Sequence, residues 1–233
     1  MKTRAQSDRS MIPEIGGIGD RAIRTALKPR LIAEQPHSGT VLFEELGLCR
    51  GLVRADIAVV NGSLHGYEIK SDLDSLRRLQ NQVSVYSKVL DYATLVVGDR
   101  LFDEAAKLLP EWWGVLHAHF GTAGLEFRTM RSAKQNSARD PRALAELLWF
   151  EEAIALLQKF DVLRGVRGKP RRILWDRISE RVRLEDIAAA VRDALKSRAI
   201  RQVVQPPSKC GASYQVVAML PQNQIPGRHP RRP

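Results

Sequence analysis

Hydrophobic positions recur along the chain with two periods, one of two residues and one near 3.6, and their order outlines a fold. Ile23 and Leu27 share a face of a short helix over residues 20–27, with Asp20 placed to cap it and Pro29 to end it. Residues 40–46 read as a strand with Val41, Phe43 and Glu45 on one face. Two further apolar runs, 53–60 and 64–70, flank Asn61-Gly62-Ser63 and predict a β-hairpin, so the first three strands form an antiparallel meander. Asp72 or Asp74 then stands where a helix needs a cap, and Leu76, Leu79, Val83, Tyr86 and Leu90 form its apolar stripe. Residues 93–98 follow as a short strand, parallel to a hairpin strand because a helix intervenes. A helix over 102–109 and a strand over 113–120 come next, with residues 124–128 as its hairpin partner. His117 and His119 share a face of that strand, but without a third ligand they read as edge-strand histidines.

Beyond residue 131 the strand pattern stops. Residues 132–139 are polar and mark a domain boundary; residues 142–160 predict one long helix on Leu144, Leu147, Leu148, Ile154, Leu156 and Leu157. Trp149 and Phe150 either extend that apolar side or cover the preceding core. A basic, glycine-bearing connector over 164–172 leads to helices over 172–181 and 184–199, the second aligned on Ile187, Val191 and Leu195. From residue 205 the chain is rich in proline, glycine and glutamine and has no acidic residue, which predicts disorder. Gly16-Gly17-Ile18-Gly19 has no strand leading into it and reads as a linker. The expected organisation is a flexible segment 1–19, an α/β core 20–131, a basic helical extension 140–204 and a disordered basic tail 205–233.

Charge adds a partner class to this outline. Basic and acidic side chains balance up to residue 130, so the net charge of +11 resides entirely in residues 131–233. Such a half favours a polyanion, most simply nucleic acid, although a solvated basic face gives the same count. No Trp- or Phe-rich amphipathic face accompanies the charge, which argues against a membrane surface. Cys49 and Cys210 lie far apart, with neither disulfide nor zinc spacing. There is no apolar signal core and no bilayer-length run, so a cytoplasmic, bacterial-type protein is the expectation.

The candidate chemistry sits in the hairpin. Residues alternate faces along a strand, which puts Glu68 and Lys70 on one face and Ile69 on the other. If all three turn residues form the loop, Val60 pairs with Leu64 and Asp56 lies opposite Glu68, with Cβ atoms roughly 4.5–5.5 Å apart. A two-residue loop instead sets Tyr67 opposite Asp56 and separates the acids. Paired carboxylates suit Mg²⁺ or Mn²⁺, which takes one or two such ligands plus waters and phosphate oxygens. The neighbouring lysine would orient water or stabilise developing negative charge. A solvated salt bridge has the same pattern.

Asp56 followed by Glu68-Ile69-Lys70 resembles the core of the PD-(D/E)XK nucleases, and Gln82-Val-Ser-Val-Tyr86 is similar to the Q-x-x-x-Y signature of their RecB-like branch. The run RADIAVVNG…GYEIKSDLDSLRRLQNQVSVYSKVLDYATLVVG looks like the sce7726 family, with Ala55 where the superfamily's name has proline. That resemblance, good over residues 20–98, implies a restriction-endonuclease-like fold with a mixed central sheet flanked by helices. It implies a Mg²⁺-dependent nuclease in which Asp56 and Glu68 hold metal, Lys70 assists water and Gln82 and Tyr86 position substrate. An acid is also implied on the first strand, where Glu45 is either a third metal ligand or a strand-end charge. DNA is favoured over RNA, and a homodimer or a protein partner is compatible. The other class is a non-catalytic nucleic-acid- or partner-binding module on the same fold.

Overall fold

A computed structural model describes residues 17–35, 39–122, 124–204 and 215–219. The elements run α1 (Asp20–Ala33), β1 (Val41–Leu48), β2 (Val53–Val60), β3 (Leu64–Lys70), α2 (Leu79–Val89), β4 (Tyr92–Val97), α3 (Phe102–Lys107), β5 (Gly114–Gly121) and β6 (Gly124–Arg131). Four helices follow, α4 (Pro141–Ala145), α5 (Phe150–Lys159), α6 (Arg171–Arg181) and α7 (Leu184–Val204), and then a strand β7 (Gln215–Met219). The strands form one seven-stranded mixed sheet in the order β6-β5-β4-β3-β2-β1-β7. β1, β2 and β3 are the antiparallel meander, and β4 runs parallel to β3 after the α2 crossover, as the alternation of periods requires.

Each face of the sheet buries its own core. On one side Ile23, Leu27 and Leu31 of α1 pack on Leu42, Ile57, Val59, Tyr67, Ile69 and Val96. On the other, α2 and the helices from α4 onward share a single cluster with Phe43, Leu46, Ala58 and Leu95. The basic helical segment is therefore packed on the sheet. The stretch expected as a domain boundary is pinned there: buried Asn136 donates through Nδ2 to the carbonyls of Ser87 (2.8 Å) and Leu90 (2.9 Å), and Arg139 pairs with Asp91.

Several local expectations are corrected. α1 continues through Pro29 to Ala33, because burying Leu31 one turn beyond Leu27 outweighs the hydrogen bond that proline removes. Gly19, not Asp20, caps it, and Gly17-Ile18-Gly19 is no linker: Ile18 is buried, with its N–H on Asp72 Oδ2 at 2.8 Å. Asp72 and Asp74 do not cap α2, which begins at Leu79. Asp72 also accepts from the Arg100 N–H (2.9 Å), and Asp74 accepts from the Ser71 N–H (2.8 Å) and Ser71 hydroxyl (2.6 Å). The long helix over 142–160 is broken into α4 and α5, where the Glu152 carboxylate takes the N–H of Trp149 (2.8 Å). β5 is no edge, since β6 covers it. β7 lies inside the stretch expected to be disordered and pairs antiparallel with β1; the rest of that expectation, and the expected flexible segment up to residue 16, lie outside the described residues. Among the described residues no helix is long and apolar enough to cross a membrane.

Candidate functional site

The hairpin has the three-residue loop. Val60 pairs with Leu64, and the ladder runs down to Ile57 opposite Tyr67, so Asp56 is next in line facing Glu68. The Asn61 side chain closes the turn by accepting from the Ser63 N–H at 2.9 Å. On β1, Glu44 pairs with Ile57 and Leu46 with Ala55, which sets Glu45 at the level of Asp56. Three acids from three adjacent strands thus stand in one row.

Their side chains do not converge as one cluster. Glu45 has φ 56°, the left-handed region, at a cost of about 1–2 kcal/mol for a residue with a Cβ. That turn of the backbone reverses the alternation of β1, so Leu46 and Leu48 rejoin the core of Val41 and Phe43 while Glu45 leaves their face. Its carboxylate meets Arg24 Nη1 at 3.3 Å. Among the described residues no group of three or more His, Cys, Asp or Glu side chains is placed to hold a metal, so the expectation of Glu45 as a third ligand is corrected.

Glu68 is the most enclosed member, 1 % exposed, on the α2 side of β3. Lys70 Nζ donates to its Oε1 at 2.5 Å, the Gln82 side-chain amide donates to the same oxygen, and the Tyr86 hydroxyl donates to Oε2 at 2.6 Å. Gln82 and Tyr86 face the same carboxylate because they are four residues apart on α2, one turn of the helix. Gly66 makes room below: a Cβ there would run into Leu90, which packs with Tyr86 against the strand. Asp56 is engaged from the α1 side. Its Oδ2 accepts from the Ile69 N–H at 2.7 Å and its Oδ1 from Arg24 Nη2 at 3.1 Å.

Arg24 was not expected here. Its guanidinium reaches Asp20, Glu45, the Asp56 carboxylate and, at 3.0 Å, the Asp56 carbonyl where Glu45 interrupts the ladder. The sequence carries only the i,i+4 spacing of Asp20 and Arg24, which says nothing about β2.

Burial decides the protonation of the pair. It pushes Glu68 up to about 7, helped by the Asp56 charge and opposed by Lys70 and the Tyr86 hydrogen bond. Asp56 is also raised by burial, against the Ile69 N–H, Arg24 and Lys70. Tyr86 is held well above its ordinary value by burial and the two acids. A carboxyl whose folded pKa exceeds its unfolded 4.5 stabilises the fold while protonated; that contribution is complete below about 4.5 and lost as pH rises through about 7. The chain in EDTA is therefore expected to lose about 2–3 kcal/mol between pH 5 and pH 8 through this group. Urea midpoints at the two pH values measure it, and Glu68→Gln should flatten the difference. An equal pH dependence in both proteins would contradict it.

Asp56 and Glu68 are oxygen donors of the chemical type a hard divalent cation takes. Two carboxylates meet the usual protein contribution to a Mg²⁺ site, and Gln82 Oε1 beside Glu68 is a buried oxygen without a hydrogen-bond partner.

A mixed α/β protein with helices on both faces of its sheet, and two neighbouring acids on its central strands, one bound by a lysine and the other by an arginine, is the class that these observations define. The family model of bacteriophage P4 protein cII matches residues 21–204, and the chain belongs to that family. It is 25 % identical over 143 residues to protein cII of Enterobacteria phage P4, covering 61 % of this chain and 54 % of that protein, so the chain spans about half the length of the curated relative it matches. No solved structure matches. Membership of the sce7726 family is thereby overturned. The resemblance rested on about eighty residues around degenerate positions, whereas the family match runs from α1 through α7.

Proposed function

We propose that this protein is a metal-dependent nuclease, hydrolysing phosphodiester bonds on a restriction-endonuclease-like core. The observation that carries the reading is the buried set Glu68, Lys70 and Tyr86, joined by the half-buried Gln82 and standing beside Asp56, on a meander followed by an α2 crossover to a parallel strand. Asp56 and Glu68 would hold Mg²⁺ or Mn²⁺, which supplies positive charge to the scissile phosphate and acidifies a water. Tyr86 and Gln82 fix the Glu68 carboxylate, and Lys70 keeps an ammonium where negative charge develops. Nucleic acid is the substrate, DNA ahead of RNA, and the basic helical segment supports that choice.

A second reading has an observation of its own. Arg24 sits on Asp56 Oδ1, and both Glu68 oxygens already accept hydrogen bonds, an arrangement that a non-catalytic nucleic-acid-binding module retains without any ion. Labelled single- and double-stranded DNA and RNA, incubated with Mg²⁺ or Mn²⁺ beside Lys70→Ala, separate the two. Ion-dependent cutting by the wild type alone supports the nuclease, and binding without cutting supports the module. Thermal unfolding gives an independent check. Mn²⁺ is expected to raise the midpoint at pH 8, by the amount that ligand linkage gives (about 2.7 kcal/mol at a hundred times Kd), and Asp56→Ala should abolish the gain. An equal gain in that variant would place the ion elsewhere.

A further inference from the structure

The break between α4 and α5 leaves Trp149 at a corner of the molecule, 45 % exposed. Arg198 lies against its ring, guanidinium carbon 4.1 Å from the centroid, and is itself buried, with Nε on Glu152 Oε1 at 2.9 Å and Nη2 on the Leu147 carbonyl at 2.7 Å. The indole is thus a braced plate with open surface. It lines a cavity of about 520 Å³ together with Arg50, Arg54, Glu146, Arg171 and Arg198.

Charge in this cavity is left uncompensated. Glu146 is engaged by Arg142 at 2.9 Å and Arg198 by Glu152. Among the described residues none of Arg50, Arg54 and Arg171 has a carboxylate partner, and all three are exposed. Arg50 is presented by a strained turn, with Cys49 at φ 46°, Arg50 at φ 60° and Gly51 at φ 84°. Left-handed conformations at two successive residues with a Cβ are costly and cluster at sites that use them. Three guanidinium groups without a carboxylate partner, Arg171 resting on the Trp175 ring at 4.7 Å, stand beside this aromatic plate and match a polyanion whose repeating unit carries a flat ring.

We propose that this cavity receives a single-stranded polynucleotide segment, with one base stacked on Trp149 and the adjoining phosphates on Arg50, Arg54 and Arg171. A duplex keeps its base faces stacked on each other and has none to offer the indole. Arg54 stands two residues before Asp56 on β2, about 7 Å along the strand, so the next phosphate arrives at the acid–lysine group. The strand path rests on the nuclease reading only for that last step; the binding does not require it.

The test is fluorescence anisotropy of a labelled twelve-nucleotide single-stranded DNA in EDTA, where cleavage plays no part. Trp149→Ala is expected to weaken binding at least tenfold, and Trp149→Phe, which keeps the stack, to stay within about threefold of wild type. Arg50→Ala with Arg54→Ala should weaken binding and lower the log–log salt slope by roughly 1–2. Arg181→Ala, in the basic half but outside the cavity, serves as the control and should bind as wild type, and thermal midpoints verify folding. Cavity variants that bind as tightly as wild type would overturn the proposal. So would a duplex competitor matching the single strand, or inorganic phosphate or a mononucleotide displacing the oligonucleotide at equal concentration. A nuclease reading that fails leaves these affinities unchanged, so the two failures are distinguishable.

Discussion

Lys70→Ala is expected to lower phosphodiester cleavage by about 10²–10³-fold, the usual cost of removing one preorganised group from the transition state's charge. Lys70 is 5 % exposed and its Nζ lies 2.5 Å from Glu68 Oε1, so it acts where water screens little. The variant should fold, because the carboxylate left behind can take a proton and keep the Tyr86 and Gln82 bonds. It should carry a second signature. Lys70 opposes the rise of the Glu68 pKa to about 7, so its removal moves that titration upward, and the acid limb of the residual activity should shift to higher pH. Rates of oligonucleotide cleavage between pH 6 and pH 9 measure both effects. A variant that cuts at the wild-type rate, or whose loss is the same at every pH, would remove Lys70 from the chemistry.

The hairpin at the centre of that expectation is legible in the sequence because its determinants are local. Strand alternation assigns Glu68 and Lys70 to one face; the loop length, open between two and three residues in the sequence, is settled by the structure, where the Asn61 side chain closes the turn. What was not legible depends on groups distant in the chain. Nothing around Glu45 marks a left-handed residue, since glycine is the usual sign of one, and the reversal of β1 follows from the need to bury Leu46 and Leu48. Arg24 reaches β2 because α1 lies across that face of the sheet, a matter of tertiary packing. Pro29 reads as a stop in isolation and is overridden by Leu31. The motif led to the wrong family for a related reason: two acids, a lysine and a Q-x-x-x-Y spacing are few constraints, and the family match draws on the helices beyond them as well.

Those helices give the other large expected effect. Asp91→Ala should destabilise the protein by roughly 3–5 kcal/mol, the cost of leaving a buried charge without its partner. Asp91 is 6 % exposed and stands between Leu90, the C-cap of α2, and the start of β4. Its Oδ2 accepts from the Leu64 N–H at 2.7 Å and lies 3.5 Å from Arg192, its Oδ1 pairs with Arg139, and its carbonyl accepts from the Asn136 N–H at 2.9 Å. One carboxylate therefore joins the start of β3, the stretch before α4 and the face of α7. Arg139 retains only Glu185, an exposed acid, once Asp91 is gone. Asp91→Asn keeps an acceptor for Leu64 and should recover part of the loss, about 1–3 kcal/mol, which separates the hydrogen bond from the charge. Urea unfolding followed by far-UV circular dichroism and by tryptophan fluorescence should give one transition with an unchanged slope for all three proteins, because the helices from α4 onward share their core with the sheet. Two transitions, with the helical segment surviving the loss of Asp91, would show that the shared core is not cooperative. A separable lobe would then have to orient the basic surface independently, whereas a single cooperative unit fixes Arg54, Trp149 and Asp56 in one frame.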